Sequence, residues 1–450
     1  MVRHPGVSGI SAQVGACDMN KEIGINQLKR RDFLRAGLVF GAGAAGLAAG
    51  YAAVPDAFAR AVFAAKQNGM ANDNVLVMIQ LAGGNDGLRT LVPLTDPTLH
   101  DLRPKLAGPM VSQALPLTKD FGLNHNLGGI KSLWDQGKVA MVQGVGYPNP
   151  TFSHFESIRI WETGDPTRRQ VDGWLGRTLA KAYDSNGHPL TGCACGTTDV
   201  PGALRDLQAT MTVIQNQKTF GFTGGSEVEA AVGALYKGTP GIYGALFDTA
   251  IATANDTIAT LRTSSASYQP MADYTDKVQL VYSSKNQLAA ALQLAAELIV
   301  TGTGVKLLHV TLGGFDTHYT ELNRHDDLMG YLDSAVSAFY KDLAAHGKAD
   351  KVLIATWSEF GRRPKENASG GTDHGAAAPL LLIGDPVQGG LYGSEPSLTS
   401  LDSTGNLKFA VDFRSVYQEI LGGHLGADSN EILGASFDRI PFLKAPVAVL

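Results

Sequence analysis

Cysteine is scarce, with three residues in a chain of 450. Cys17 falls in the leader, which leaves Cys193 and Cys195 in the run Gly192-Cys193-Ala194-Cys195-Gly196. Two thiols two residues apart are badly placed to bridge one another, and two alone are too few for a zinc site. They are expected as ordinary thiols in a loop, and they decide nothing about compartment. Charge is also modest, at 18% of residues with a net value of -5. No basic stripe with interleaved aromatics is present, so a nucleic-acid surface is not expected. No internal repeat and no heptad run appears. The glycines after the first strand do not form the G-x-G-x-x-G that would open a dinucleotide-binding helix.

What is present begins with an export leader. Lys29-Arg30-Arg31-Asp32-Phe33-Leu34-Arg35 precedes a Gly- and Ala-rich apolar run from Ala36 to Val54, followed by Ala57-Phe58-Ala59. These are the three parts of a signal peptide with a twin-arginine n-region. The run is punctuated by glycine and only weakly hydrophobic, so a permanent membrane anchor is not expected. Residues 1–59 are therefore set aside as a leader. The twin-arginine translocon is the partner implied during export, and a periplasmic or extracellular destination follows. Such export carries proteins that fold first, often with a cofactor bound.

The mature part, 72–450, is long enough for one large α/β domain. Asn74–Ala82 reads as a buried strand, as do Lys138–Val145, Leu307–Leu312, Val352–Trp357 and Pro379–Ile383. Short apolar runs rich in β-branched residues, alternating with helical patterns, predict a mainly parallel sheet covered on both faces. Helices are expected at Asn126–Asp135, from about Ser153, at Arg168–Ala182, Thr275–Val300, Asp326–Ala345 and Phe413–Leu421. Ser153 with Glu156 fits a capping box. Residues from about 200 to 275 are glycine- and serine-punctuated and are expected as a helical, cap-like insertion, with helical patterns at Glu227–Tyr236 and Ile242–Leu261 and a short strand at Thr210–Ile214.

Ligand-type side chains collect where these strands end. Asp86 follows the first strand in Gly83-Gly84-Asn85-Asp86-Gly87, which is equally turn chemistry. Asp316 and His318 follow the strand at 307–312, and Glu359 follows the strand at 352–357. His374 stands in Gly370-Gly371-Thr372-Asp373-His374-Gly375. In α/β sheets ligands bind beyond the carboxyl ends of the strands. Mixed carboxylate and imidazole ligands suit zinc or manganese, as one ion or two. Ser153 opens a helix just beyond a strand, where free amides favour a nucleophile, though capping alone explains a serine there. Arg362 is the nearest side chain able to fork onto an anionic oxygen, and an ordinary ion pair explains it equally well.

The motifs GGND at 83–86, SHF at 153–155, GGFDTH at 313–318, SEFGR at 358–362 and GTDHG at 371–375 resemble those of a widespread bacterial family of twin-arginine-exported proteins of unknown function. That family is similar to the superfamily of alkaline phosphatases, sulfatases and cofactor-independent phosphoglycerate mutases. The resemblance runs over essentially the whole mature chain. It implies a three-layer αβα sandwich and a metal-dependent hydrolase of phosphate or sulfate esters, acting on a small molecule or a glycan. It also implies roles: Asp86, Asp316, His318, Glu359 and His374 as metal ligands, Ser153 as nucleophile, and Thr151 as its less favoured substitute. Two departures stand out. Phe360 occupies the place of a usual ligand histidine, and the 316–318 spacing is shorter than usual. His154 is the residue that would make up the missing ligand. No Cys-x-Pro-x-Arg lies near Ser153, which argues against a formylglycine sulfatase. A non-catalytic envelope binding module with the same fold remains the alternative.

Overall fold

The run Val75–Ala82 is apolar at nearly every position, and only a strand covered on both faces can use such a run. In the computed structural model it forms β1, at the middle of the sheet. Its side chains divide by parity. Val75, Val77, Ile79 and Leu81 enter one core, and Leu76 and Met78 enter the other. The structure describes residues 72–445, apart from 184, 186–187, 217–219, 222–230, 232–233, 235–241 and 276–285. The leader lies outside the described residues.

The strands in chain order are β1, β2 (Leu91–Pro93), β3 (Leu115–Pro116), β4 (Phe121–Leu123), β5 (Val139–Gly146), β6 (Gly192–Cys195), β7 (Thr212–Ile214), β8 (Leu307–Gly313), β9 (Val352–Trp357), β10 (Arg362–Glu366), β11 (Thr372–His374), β12 (Ala378–Ile383), β13 (Gly390–Gly393) and β14 (Val411–Asp412). The central sheet runs β13-β5-β12-β9-β1-β8-β6-β7, with β14 alongside β5. Every strand points the same way except β12, which is antiparallel to both β5 and β9. The reversal has a simple origin. After β9 the chain builds the antiparallel pair β10–β11 beyond the carboxyl edge, so it re-enters the sheet from that edge.

Helices cover both faces. The helices α1 (Gly87–Thr90), α2 (Gly128–Asp135), α3 (His154–Thr163), α4 (Trp174–Ala182), α5 (Ile242–Ser267), α6 (Gln287–Val300), α7 (Glu321–Ala345) and α8 (Phe413–Glu419) are those used below. One core joins odd positions of β1 to Ile130 of α2, Leu292 and Ala295 of α6, and Leu332 and Phe339 of α7. The other joins even positions to Trp161 of α3, Trp174 of α4 and Tyr417 of α8. This is the three-layer αβα arrangement expected, with a mainly parallel sheet. No helix among the described residues is long and apolar enough to cross a membrane.

Four expectations need correction. The helix expected from Arg168 begins at Trp174. Cys193 and Cys195 lie in β6, not in a loop, and both are buried in the first core. Burial holds the Cys193 thiol well up and pushes Cys195 up to about 12, so neither forms a reactive thiolate near neutrality. The helix expected from Thr275 is described from Gln287, with Asn286 as its cap: the Asn286 side chain accepts from Ala289 N at 3.2 Å. Residues 271–275 lie outside any helix. The helix expected from Asp326 begins at Glu321. Its first turn carries a buried glutamate, which hides it from any apolar pattern.

Within the stretch from 200 to 275, β7 extends the sheet edge beside β6, and Leu261 and Tyr268 join the first core. The pattern at Glu227–Tyr236 lies almost wholly outside the described residues.

Candidate metal centre

β1, β5, β8 and β9 all finish at one edge of the sheet, and the loops that follow them meet there. The loop after β8 supplies Asp316 and His318, and β11 supplies His374. The loop after β5 leads into α3 and supplies His154 as its first residue. Ligand atoms of His154, Asp316 and His374 all lie within 4.8 Å of one another. Asp316 Oδ1 is 3.8 Å from His154 Nε2, 3.1 Å from His318 Nε2 and 3.2 Å from His374 Nε2. The His318 and His374 Nε2 atoms are 3.0 Å apart. Ligands arranged tetrahedrally about zinc at ~2.0 Å stand roughly 3.3 Å from each other; the His318 and His374 contacts to Asp316 are near that spacing, and His154 is farther off at 3.8 Å.

The outer nitrogens make the case stronger. His374 Nδ1 lies 2.8 Å from the carbonyl oxygen of Phe152. A carbonyl only accepts, so Nδ1 carries the proton, and in the neutral ring Nε2 presents a bare lone pair. His154 Nδ1 meets Glu359 Oε1 at 2.7 Å, and His318 Nδ1 meets Asp373 Oδ1 at 3.3 Å. A carboxylate or carbonyl behind each imidazole is the usual support of a metal-bound histidine. Burial moves the His374 pKa below its ordinary value, and the neighbouring Arg362 charge adds to the shift. That keeps the ring in the form that binds a cation. Burial would raise Asp316, but the hydrogen bond and charge of Arg362 outweigh it and keep the carboxyl below its usual range.

Phe360 is buried and forms the floor, with ring centroids 4.9 Å from His154 and 4.5 Å from His374. Glycine is required where the loops cross. A Cβ on Gly83, whose φ is +123°, would sit 2.4 Å from Asp316 N. One on Gly371 would sit 2.4 Å from the His318 carbonyl carbon and 2.4 Å from Thr317 O. Those atoms are backbone and cannot swing aside. Gly371→Ala is therefore expected to fold but to push the His318 segment outward and weaken zinc binding by at least 10-fold. Calorimetric zinc titration checks this, and an unchanged affinity would mean that the loop is not held at the crossing.

The expected site residues divide into three groups. His154, Asp316, His318 and His374 converge. Glu359 is 1% exposed and faces away from them; its Oε1 accepts from Gly83 N at 2.9 Å and meets the back of His154. It supports a ligand rather than adding one. Asp86 stands apart from the centre, a correction to the ligand expected there. Its side chain caps α1 through Leu88 N at 3.1 Å, and Arg103 pairs with both its oxygens. Arg362 is corrected too. Its side chain has no exposure, and its donors reach Gly83 O, Gly84 O, Phe315 O, Thr372 O and Asp316 Oδ1. Nothing of that guanidinium is left to meet a substrate anion.

Ser153 is the N-cap of α3, but its side chain makes no capping bond, contrary to the expected capping box. Glu156 instead accepts from Thr151 Oγ1 at 3.2 Å and pairs with Arg168 at 3.2 Å. The Ser153 side chain is exposed. The structure also shows contributors that sequence reasoning missed: the Phe152 carbonyl, Asp373 behind His318, and the Arg103 and Glu321 side chains beneath the loops. Asp373 sits beside His374 in the sequence, and that adjacency was the one available signal.

Among solved structures the chain is similar to the lipoteichoic acid synthase LtaP from Listeria monocytogenes, at 10% identity and a TM-score of 0.33, over 70% of this chain and 66% of that one, just under two thirds of its length. It is similar to a protein in the alkaline phosphatase superfamily from Vibrio parahaemolyticus, at 9% identity and a TM-score of 0.32, over 81% of this chain and 71% of that one. It is also similar to the zinc complex of the C-terminal periplasmic domain of EcEptC from Escherichia coli, at 10% identity and a TM-score of 0.35, over 70% and 73% of the two chains. No curated protein sequence matches the chain. The family described as "Protein of unknown function (DUF1501)" matches residues 73–434, and the chain belongs to that family.

Proposed function

We propose that this protein is an exported, metal-dependent hydrolase of phosphate or sulfate esters, carried by a small molecule or a glycan. The observation that carries the reading is the convergence of imidazole Nε2 atoms on Asp316 while each Nδ1 is held by an acceptor. His154, Asp316 and His374 would hold the ion, with His318 beside them. Imidazole-rich ligation favours zinc, and the carboxylate also admits manganese. An ion there supplies positive charge that eases loss of a proton from a nearby hydroxyl and steadies charge on an ester oxygen.

Ser153 precedes the ligand His154 in the chain and heads the ten residues of α3. Its hydroxyl is free of any cap, so it can attack the phosphorus or sulfur of the ester. The bond from that atom to the alcohol oxygen breaks, the alcohol leaves, and water later cleaves the ester formed on Ser153. The twin-arginine leader supports export to the periplasm or beyond through that translocon, without a permanent anchor. One centre for one ion is the arrangement favoured, because Phe360 and the Arg103-bound Asp86 remove two of the ligands a second ion would need.

The test is turnover. Purified, zinc-loaded protein is assayed against a panel of phosphate and sulfate monoesters. Ser153→Ala is expected to lose about 10³-fold or more in kcat while zinc content stays at the wild-type level. Equal turnover by the variant would remove Ser153 from the reaction. A wild-type protein that holds zinc yet cleaves nothing in the panel would favour the non-catalytic binding module, a reading for which the buried Phe360 already speaks.

A further inference from the structure

Beneath the candidate centre lies a second set of polar side chains, closed off from solvent. Asp86, Arg103, Glu321 and Thr372 are each 0% exposed. Arg103 forks onto both oxygens of Asp86 and sends its remaining donors to Arg363 O at 2.9 Å and Pro364 O at 2.8 Å, both on β10. Glu321, the first residue of α7, accepts from Thr372 Oγ1 on β11 at 2.7 Å. Its own N–H donates to Gly370 O at 3.1 Å, and Thr372 N donates to Thr317 O at 3.2 Å. One network thus grips both strands of the hairpin that carries His374 and the loop that carries His318.

The charges in the network balance. Burial would raise the Asp86 carboxyl, but the Arg103 charge outweighs it and keeps Asp86 ionised. Glu321 is pushed well up, first by burial and then by the Asp86 charge beside it. Both causes favour its neutral form. Glu321 Oε1 meets no hydrogen-bond partner, so the acid is tied to the hairpin through its other oxygen, Oε2. Within this network that sets one anion, Asp86, against one cation, Arg103. None of these side chains is among the converging ligands, and none is accessible to a substrate.

We propose that Arg103, Asp86 and Glu321 are positioning residues that set the spacing of the His318 and His374 imidazoles and so the affinity of the centre for its metal ion. This rests on the metal reading of the cluster. Supports behind metal ligands are typically worth about 10–100-fold in affinity, and ligand distances tolerate only ~0.2 Å of error.

Zinc alone is titrated calorimetrically into the chelator-stripped protein and three variants. Thr372→Val removes one hydroxyl and keeps its shape. Glu321→Ala removes the acid, and Glu321→Gln keeps its shape and an acceptor for Thr372. The first two are expected to bind zinc about 10–100-fold more weakly, and Glu321→Gln to stay near wild type. Histidine-ring nitrogen NMR on the metal-free proteins provides a second reading. The His374 signals are expected to move in Thr372→Val and Glu321→Ala and to hold in Glu321→Gln. A mere packing role would weaken Glu321→Ala alone and leave the shape-preserving Thr372→Val at wild-type affinity, and that result overturns the proposal. So do unchanged affinity and unchanged ring signals in Thr372→Val, which also carries the test if Glu321→Ala does not fold. If wild type binds no zinc, the metal reading falls by itself, and the ring signals then decide: moved in Thr372→Val, they support positioning; unmoved, they overturn it.

Discussion

Replacing His374 with alanine is expected to abolish tight zinc binding while leaving the fold in place. His374 Nε2 is the atom that stands close to both Asp316 and His318, at 3.2 Å and 3.0 Å. Its ring also packs against His154 at a centroid distance of 4.6 Å. Without it, the carboxylate and the remaining imidazoles no longer enclose a common point. Loss of one ligand from such a set is expected to cost at least about 100-fold in affinity. The residue is half-buried at the edge of the sheet and lies on a short strand, so truncation leaves both cores untouched. Elemental analysis of the purified protein beside the variant gives the answer. About one equivalent of zinc in the first and none in the second is the expected result. Equal metal in both would place the ion elsewhere, and the arrangement of rings on Asp316 would then be a hydrogen-bonded cluster and no more.

The same variant has a thermal signature. An ion that binds only the folded chain stabilises it by mass action. Zinc should therefore raise the Tm of wild type and leave that of His374→Ala unmoved. The effect should fade in acid, because protonated imidazoles do not bind a cation. The lowered pKa of His374 moves its own loss toward more acid conditions.

What the sequence revealed of this arrangement follows from how strongly each residue's neighbours constrain it. β1, β8 and β9 are near-continuous apolar runs because helices cover both faces of the sheet, and such runs are hard to mistake. β6 is only four residues long, flanked by glycine, and depends on β8 for its existence. Nothing local distinguishes it from a loop. The site was readable to the extent that it lies at strand ends. Asp316, His318 and His374 were placed by topology, and His154 by the gap that Phe360 leaves. Asp86 was misread because Asn-Asp-Gly looks the same whether the carboxylate faces a metal or caps a helix. The deciding partner, Arg103, lies in a proline-rich stretch with no periodicity. Glu321 went unseen for a related reason, since a buried neutral acid looks like any surface glutamate until its surroundings are known.

Arg362 gives the sharpest contrast between the two levels, and its replacement by methionine is expected to be the most destabilising change near the centre. A guanidinium after a strand-end glutamate reads as a substrate clamp. In the fold its donors tie together three loops: Gly83 and Gly84 after β1, Phe315 and Asp316 after β8, and Thr372 on β11. Methionine nearly matches its length but offers no donor. Buried carbonyls would lose partners, and Asp316 would lose the charge that holds it ionised. Each buried carbonyl left without a donor costs about 1–3 kcal/mol, and several together are a large share of the stability of an ordinary domain. Arg362→Lys should recover only part of this, because one ammonium cannot replace a planar fork of five donors. Denaturant titration of the three proteins decides between the roles. A large fall in the midpoint for Arg362→Met, with Arg362→Lys intermediate, identifies a clamp on the backbone. An unchanged midpoint with a raised KM for an anionic ester would restore the arginine to the substrate side, and the loops would then need another explanation for how they are held together.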